Sequence, residues 1–326
     1  MKALVQDAYG LPRDVLRLRE ADPPEPGPRQ VLVRVAAASV NPADVFLSTG
    51  RPWLVRLGAG LRRPRRTIPG GDVAGVVEAA GAEVTRFRPG DAVFGRCVGA
   101  FAELAVAAED DVAAKPAAMS FEAAAAVPLA GTTALQALRD VARVRPGQRV
   151  LVVGAGGGIG GFAVQLARHF GAEVTGVCGT ASVDRVRSLG AGRVIDHTRE
   201  DFTAGDDRYD VILDNVAARP LSRVRRVLAP AGVLIPNSGR GRLAGLDRIV
   251  AARLTGLVVR QRMATFIARD SRDDLVTLAG LVEAGALVPP VGATYPLAAA
   301  ADALAEVAAG HARGKLIVSA LRGSVP

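Results

Sequence analysis

Six glycines lie within the eight residues from Gly154 to Gly161, between the apolar run VLVV and the helical pattern FAVQLARHFG. Glycines let a phosphate approach the backbone, and the start of a helix supplies unpaired N–H groups and a positive dipole end. The pattern predicts a dinucleotide pyrophosphate site, with a flexible turn that binds nothing as the alternative. The residues predicted to contact the cofactor here are Gly154, Gly156, Gly157, Gly158, Ile159 and Gly160.

The residues after the next apolar strand, AEVTGV, indicate which dinucleotide binds. An Asp or Glu about 20 residues after the glycines would bond a ribose 2′-hydroxyl and favour NAD. Here the strand ends at Cys178, and the first acidic residue is Asp184, inside the next helical pattern. Thr180 and Ser182, with Arg185 or Arg187 nearby, suit a 2′-phosphate, so we predict NADPH. The alternative for these arginines is an ordinary exposed helix face.

Polar residues also follow two later strands. Asn215 and Val216 come after YDVILD, and Asn237 and Ser238 come after GVLIP. Open α/β sheets bind ligands in the crevice outside the carboxyl ends of their strands. We therefore predict that these residues belong to the same cofactor site.

The elements that position these residues alternate between strand and helix from Val150 onward. The strands are RVLVVG, AEVTGV, GRVID, YDVILDNV and GVLIPNS, and LTGLVV (Leu254–Val259) is expected to supply a sixth. Such alternation predicts βαβ units and a parallel sheet.

The sequence on both sides of this region is β-rich. QVLVRVAAASV and VAGVVEAAG are β-branched runs bounded by turns, and Ser120 is a candidate N-cap for a long Ala-rich helix. The tail returns to helices and a terminal strand, GKLIVSAL. We predict an α/β fold in which a Rossmann doubly wound parallel sheet (residues 119–263) is inserted into a β-rich substrate domain (residues 1–118 and 264–326).

Composition narrows the function classes. The net charge is +9, but the arginines are dispersed along the chain, which argues against a nucleic-acid partner. The one local cluster, RRPRR (Arg62–Arg66), is either an exposed loop or a rim that attracts an anionic substrate or cofactor. Two scattered cysteines match no disulfide or metal spacing, and no apolar stretch reads as a signal peptide or membrane span. We expect a cytoplasmic protein.

Further ordered motifs carry a family resemblance over nearly the whole chain. They are SVNPADVFLSTG (residues 39–50), IPGGDVAGVVEAAGAEVTRFRPGDAVFG (68–95), GAFAELAVA (99–107), AAAVPLAGTTALQAL (124–138), SLGAGRVIDHTREDF (188–202) and GHARGKLIV (310–318). With the glycine loop, they resemble the medium-chain dehydrogenase/reductase superfamily, in its zinc-free quinone oxidoreductase branch. The similarity is strongest to NADPH reductases of the reticulon-4-interacting-protein type. The resemblance implies a GroES-like substrate domain, a Rossmann domain, a substrate cleft between them and a homodimer.

The resemblance also bears on metal chemistry. Zinc-dependent relatives place a Cys near the position of Asn41 and a His and Glu where this chain has Gly71 and Asp72. Because Cys and His are the ligands that zinc prefers, we predict no metal site. Hydride delivery to a quinone or an unsaturated carbonyl needs no Lewis acid, whereas alcohol oxidation gains from one.

The resemblance further assigns individual positions. Asn41 and Thr132 correspond to polar residues at the substrate and at the nicotinamide. The alternatives are that Asn41 caps the turn at Pro42 and that the Thr132 hydroxyl bonds to the backbone of its own helix. Phe46 stands where relatives carry Tyr, so it leaves solvent as the proton source. His197 replaces a Tyr near the 2′-phosphate, with an exposed loop His as the alternative, and Lys315 belongs to a GK motif at the cofactor. Asp44 and Asp72 are expected to be structural.

The predicted function is zinc-independent, NADPH-dependent hydride transfer to a quinone or an α,β-unsaturated carbonyl, both small molecules. Two alternatives stay open: an enoyl-thioester reductase or zinc-free alcohol dehydrogenase of a biosynthetic pathway, and an NADPH-binding regulatory or structural protein without turnover.

Overall fold

The computed structural model describes residues 1–237, 245–310 and 312–320. The chain forms two compact units. The first contains Met1–Thr132, Asp270–Gly285 and the described residues from Pro289 onward, and the second contains Thr133–Arg269 and Ala286–Val288. The second unit is thus inserted, in sequence, into the first.

The strands of the described residues are β1 (Lys2–Gln6), β2 (Leu16–Glu20), β3 (Gln30–Ser39), β4 (Asp72–Ala80), β5 (Ala92–Arg96), β6 (Leu104–Ala108), β7 (Val112–Ala114), β8 (Arg149–Val153), β9 (Glu173–Cys178), β10 (Arg193–Asp196), β11 (Tyr209–Asp214), β12 (Leu228–Pro236), β13 (Arg262–Met263), β14 (Val291–Pro296) and β15 (Lys315–Ser319).

The α-helices of the described residues are α1 (Pro12–Val15), α2 (Pro42–Thr49), α3 (Val55–Ala59), α4 (Phe121–Ala126), α5 (Pro128–Gln136), α6 (Gly158–His169), α7 (Val183–Ser188), α8 (Leu221–Arg226), α9 (Leu246–Gly256), α10 (Arg272–Glu283) and α11 (Ala300–Ala309). Short 3-10 turns cover Glu109–Asp111, Thr180–Ser182 and Leu297–Ala299, and a π-helical turn covers Ala137–Ala142. In the described ranges, no helix is long and apolar enough to cross a bilayer.

The second unit is built on a sheet of six parallel strands in the order β10-β9-β8-β11-β12-β13. Its central strands are buried on both faces, as expected for a parallel sheet covered by helices; the consecutive residues Val150–Val153 of β8, for example, are all buried. The order reverses on the two sides of β8, so a topological switch point lies at its carboxyl end. The predicted doubly wound sheet is confirmed.

The prediction of a sixth strand at Leu254–Val259 is wrong. Leu254 and Gly256 end helix α9, and the sixth strand is Arg262–Met263, with Arg262 opposite Val233 of β12. A short apolar run does not by itself separate a strand from the last turn of a helix. Here Leu254, Leu257 and Val258 are exposed rather than buried in the sheet.

The first unit contains a mostly antiparallel sheet in the order β14-β15-β3-β4-β5-β7, with β6 also paired to β3. Val33, Val73, Phe101 and Leu316 belong to its buried core. The terminal strand β15 lies antiparallel to β3, so the tail completes a sheet that the first forty residues begin.

The predicted N-cap is found where the Ala-rich helix begins. The hydroxyl of Ser120 accepts a hydrogen bond from the N–H of Ala123 at 3.2 Å. The predicted long helix is interrupted, because Pro128 cannot donate a helical hydrogen bond and starts a second segment, α5.

Candidate active site

The glycine loop turns sharply from β8 into α6. Gly154 has φ +80°, and its N–H and that of Ala155 both donate to the carbonyl of Val177, at 3.0 and 2.9 Å. A Cβ on Gly160 would lie 2.1 Å from the carbonyl oxygen of Gly154, so only glycine allows this approach of helix to strand. The turn therefore explains the glycine at position 154, and close packing explains the glycine at position 160, without any role for a ligand.

Gly157 has a different environment. It is the N-cap of α6 in an extended conformation, and a Cβ there would meet only the Gly154 carbonyl oxygen, at 3.4 Å. Its glycine identity is required neither by φ nor by packing within the protein. The half-buried Gly158 and Ile159 follow in the first turn of α6, whose N–H groups lack helical partners. This is the cradle that a pyrophosphate would fill.

The carboxyl ends of β8, β11 and β12 bring further predicted residues together. Asn215 donates to the Val153 carbonyl at 3.1 Å and accepts from the Asn237 amide at 2.7 Å. A Cβ on Gly154 would lie 2.7 Å from Cγ2 of Val216. The predicted residues Gly154, Asn215, Val216 and Asn237 therefore form one rim at the switch point. Ser238 lies outside the described residues.

Asp214, which the sequence reasoning did not select, holds this rim in place. Its carboxylate is buried and accepts from the N–H groups of Val216, at 3.2 Å, and Ala217, at 2.8 Å. Its second oxygen accepts from Arg248 at 2.9 Å. Ala217 has φ +56°, a conformation that this anchoring stabilises. The only signal in the sequence is an acid as the last residue of an apolar strand.

The segments after β9 and β10 meet at the edge of the same sheet. Asp196 lies opposite Cys178 in the parallel register. One oxygen of Asp196 accepts from the Thr180 hydroxyl at 2.6 Å, and the other accepts from the Thr198 N–H at 3.0 Å and hydroxyl at 2.8 Å. These hydrogen bonds lower the pKa of Asp196, and the bond from the Thr180 hydroxyl has the largest effect. The carboxylate of Asp196 is therefore engaged within the protein.

Three other predicted residues lie around this tip. A Cβ on Gly156 would contact Ser182 Cβ at 2.7 Å, and a Cβ on Gly179 would lie 3.4 Å from Nε2 of the exposed His197. The half-buried Arg185 lies in α7, and burial lowers its pKa. The structure thus places Ser182 against the glycine loop and His197 beside Gly179.

A second group of polar residues is buried in the first unit, around Asp72. Its carboxylate accepts from the Ser39 hydroxyl at 2.8 Å and from the Asn41 amide at 2.9 Å. The guanidinium of Arg96 also donates to it, and the ammonium of Lys315 lies 3.5 Å away. We call Ser39, Asn41, Asp72, Arg96 and Lys315 the Asp72 cluster.

The amide of Asn41 is engaged on both sides. Its Nδ2 donates to Asp72 at 2.9 Å and to the Ser39 carbonyl at 3.4 Å, while its Oδ1 accepts from the ammonium of Lys315. Lys315 also donates to the Val40 carbonyl at 3.2 Å. The structure therefore joins Lys315, predicted at the cofactor, directly to Asn41, predicted at the substrate.

Burial and charge act in opposite directions on the acids of this region. Burial alone would raise the pKa of Asp72, but Arg96 and Lys315 outweigh it and hold that pKa below its usual value. Asp44 accepts from the Asn41 N–H at 2.8 Å and forms no ion pair among the residues that the structure describes, and burial raises its pKa to about 6. Asp72 is thus the fixed anion of the cluster.

The other two residues predicted to be catalytic lie on helices. Phe46 is half-buried in α2. The hydroxyl of the buried Thr132 donates to the carbonyl of Pro128, one turn earlier in α5. The hydroxyl of Thr132 is therefore bonded to its own helix.

The donor set around Asp72 does not fit a zinc ion. Gly71 has no side chain, the Asn41 oxygen accepts from an ammonium, and the carboxylate of Asp72 is neutralised by two cations. Zinc prefers Cys, His and free carboxylates. Across the described ranges, no three His, Cys, Asp or Glu side chains are grouped so that they could hold a metal.

Comparison with known proteins places these features in a family. The profile of the alcohol dehydrogenase GroES-like domain matches residues 27–117, and that of a zinc-binding dehydrogenase matches residues 189–318. The chloroplastic quinone-oxidoreductase homolog of Spinacia oleracea is 32% identical in an alignment of 335 positions that covers 98% of each chain. The mitochondrial NAD(P)H oxidoreductase RTN4IP1 of Mus musculus is 32% identical in an alignment of 355 positions that covers 98% of this chain and 89% of the relative.

Solved structures agree. The quinone oxidoreductase of Coxiella burnetii has a TM-score of 0.86 at 28% identity and covers 99% of both chains. The Escherichia coli quinone oxidoreductase, solved with NADPH, has a TM-score of 0.83 at 25% identity and covers 98% of this chain and 100% of its own. These matches confirm the predicted GroES-like and Rossmann architecture. The chain belongs to the medium-chain dehydrogenase/reductase superfamily, in the quinone oxidoreductase branch, and is an oxidoreductase.

Proposed function

We propose that this protein is a zinc-independent reductase that uses NADPH to reduce a quinone or an α,β-unsaturated carbonyl. The observation that carries the proposal is the cradle at the start of α6. Neither the backbone φ nor the packing at position 157 requires a glycine there. The names of relatives support the acceptor class, since several are quinone oxidoreductases.

The residues that would hold the cofactor are those at the switch point. The glycine loop would hold the pyrophosphate, and the rim of Asn215, Val216 and Asn237 would border the nicotinamide half. When bound, NADPH supplies a hydride to the acceptor. The E. coli relative was solved with NADPH, which supports the same cofactor here.

The choice of NADPH over NADH depends on the tip of β9. A ribose 2′-hydroxyl would be bound by a free carboxylate, but both oxygens of Asp196 already accept hydrogen bonds. Arg185 and His197 carry the groups that would bind a 2′-phosphate. We therefore propose a preference for NADPH.

The proton that completes the reduction comes from water in this proposal. The Asn41 amide is engaged by Asp72 and Ser39, the Thr132 hydroxyl by its own helix, and Phe46 has no acidic proton. We propose that Asn41, Phe46 and Thr132 border the acceptor, and that Lys315 fixes the amide of Asn41 rather than contacting the cofactor.

We also propose a homodimer. The strand β13 is the last strand of the second unit's sheet in the described residues, and the nearby Leu254, Leu257 and Val258 are exposed. An open strand edge beside exposed apolar side chains favours pairing with a second copy. Light scattering after gel filtration tests this, and a mass of one chain at micromolar concentration would overturn it.

The reductase proposal is tested by following NADPH oxidation against quinones, enones and enoyl thioesters, with NADH in parallel. We expect turnover with quinones or enones, higher kcat/KM with NADPH, and no change after treatment with a zinc chelator. Turnover confined to enoyl thioesters would replace the acceptor class. Tight NADPH binding without turnover on any acceptor would favour a binding protein, and loss of activity on chelation would overturn zinc independence.

A further inference from the structure

The segment from Val45 to Gly71 carries most of the chain's net positive charge. It contains six arginines and no acidic residue, against a net charge of +9 for all 326 residues. The arginines are Arg51, Arg56, Arg62, Arg63, Arg65 and Arg66. We call residues 45–71 the basic segment.

The same segment exposes large apolar side chains. Trp53, Leu57 and Leu61 are 63%, 57% and 67% exposed, and Leu47 and Leu54 are also exposed. Single exposed apolar residues are common on protein surfaces, but five within fifteen residues are a concentration that indicates a binding surface.

Contacts at its base hold the segment in this conformation. The Tyr9 hydroxyl donates to the Gly60 carbonyl at 2.6 Å, and Arg56 donates to the Gly50 carbonyl at 3.1 Å. The guanidinium of Arg56 also lies 4.5 Å from the centre of the Tyr9 ring. Arg65 donates its backbone N–H to the Ala59 carbonyl at 2.8 Å. The exposed side chains are therefore presented by a fixed backbone.

Five of the six arginines have no partner of opposite charge in the described part of the chain. Arg51, Arg62, Arg63, Arg65 and Arg66 form no ion pair there, whereas Arg29, Arg86 and Arg96 in the same unit pair with acids. Unpaired guanidinium groups beside exposed Trp and Leu side chains match one kind of partner in both charge and polarity. That partner is an interface between water and hydrocarbon that carries negative charge.

We propose that the basic segment docks the protein on the surface of an anionic lipid bilayer. Trp53, Leu57 and Leu61 would enter the headgroup region, and the arginines would lie against lipid phosphates. Each arginine near such a surface strengthens binding through its attraction to the anionic lipid, and apolar burial adds to it. A nucleic acid would bind the arginines but would leave Leu57 and Leu61 exposed to water. The inference does not rest on the proposed reductase activity.

The chain itself supplies the reporter for the test, because Trp53 is its only tryptophan. The full-length protein is titrated with phosphatidylcholine vesicles, with and without phosphatidylglycerol, and its emission spectrum and co-sedimentation are measured. We expect a blue shift and sedimentation with the anionic vesicles only, both weakened by added salt. Absence of a shift and of sedimentation with the anionic vesicles would overturn the proposal.

Variants separate lipid docking from general attraction between charges. Replacing Arg62, Arg63, Arg65 and Arg66 by Gln is expected to weaken vesicle binding about tenfold or more. A control with four dispersed exposed arginines replaced by Gln (Arg34, Arg88, Arg187 and Arg208) has the same net charge and is expected to keep most of the binding. Leu57→Ser with Leu61→Ser should reduce the blue shift while retaining the salt dependence.

Three results would overturn the proposal in favour of another partner. Equal losses in the clustered and dispersed variants would indicate net charge alone. Binding to RNA or heparin without binding to vesicles would indicate a polyanion. Concentration-dependent self-association abolished by Leu57→Ser and Leu61→Ser would indicate a second copy. Thermal unfolding of each variant, matched to the unmodified protein, excludes misfolding as the cause.

Discussion

The ammonium of Lys315 lies 3.5 Å from the carboxylate of Asp72, and both side chains are buried. The strands that carry them, β15 and β4, lie on either side of β3. Arg96 on β5 supplies a second cation to the same carboxylate. Removing ions from water is costly, so such a group is stable only when every member keeps its partners.

Asp72→Asn is expected to lower the free energy of unfolding by about 3–5 kcal/mol, because it leaves the buried Lys315 without its anion and removes one of the two anions that pair with Arg96. The measurement is urea unfolding at neutral pH. In the double variant Asp72→Asn/Lys315→Met, the loss should be smaller than the sum of the two single losses by about 1–3 kcal/mol.

The matched control for this prediction is an exposed ion pair. Arg13 and Asp302 lie 2.7 Å apart in solvent, and breaking the pair should change the free energy of unfolding by about 1 kcal/mol or less. A change of that size for Asp72→Asn would contradict the account of the Asp72 cluster.

Asp44 gives the protein a stability that depends on pH. Burial raises its pKa from 3.8 to about 6, so between these values the folded protein binds a proton that the unfolded chain releases. This contribution is present below about pH 4, and the free energy of unfolding falls by about 3 kcal/mol as the pH rises to about 6.

Asp44→Asn removes the titration, while its side-chain oxygen can still accept a hydrogen bond from the Asn41 N–H. The gain in stability from Asp44→Asn should therefore grow by about 3 kcal/mol from pH 4 to pH 7 in urea unfolding. A gain that does not change with pH would contradict this.

The cofactor loop could be predicted from the sequence because its determinants are local. A strand, a turn and a helix follow one another between Val150 and His169, and the glycine spacing reports their packing. The sixth strand was missed because β13 has only two residues, Arg262 and Met263, too few to form an apolar or alternating pattern.

The Asp72 cluster could not be predicted in the same way. Asn41 and Lys315 are 274 residues apart, and their contact depends on the pairing of β15 with β3. A local pattern encodes neither this pairing nor the choice of Arg96 as the partner of Asp72. The orientation of the Asn41 amide follows from both, so the sequence left its role open between donor and cap.

Gly157→Ala tests the cofactor cradle without disturbing the fold. A Cβ would lie no closer than 3.4 Å to any atom outside Gly157 and its chain neighbours, and the extended backbone suits alanine. Because alanine is a poorer N-cap than glycine, the free energy of unfolding should fall by about 1 kcal/mol or less. The methyl group would occupy space that the cofactor phosphates need, so we expect the Kd for NADPH to rise about tenfold or more.

Gly280→Ala, in α10, is the control, because a Cβ there meets nothing within 4 Å. It should leave both the Kd for NADPH and the unfolding temperature unchanged or slightly improved. Unchanged NADPH binding by Gly157→Ala would place the pyrophosphate elsewhere.

Arg185→Gln tests the preference for the 2′-phosphate. If the guanidinium binds that group, the Kd for NADPH should rise about tenfold, the effect of losing one charge-assisted contact, while the Kd for NADH stays unchanged. Arg187→Gln on the same helix is the matched control, because Arg187 pairs with Asp184 at 3.0 Å and should change neither constant. Both Kd values are measured by titration of cofactor fluorescence at fixed ionic strength. If Arg185→Gln weakened the binding of NADPH and NADH equally, α7 would be disturbed as a whole. If it weakened the binding of neither, the 2′-phosphate would be bound by Thr180, Ser182 or His197 instead.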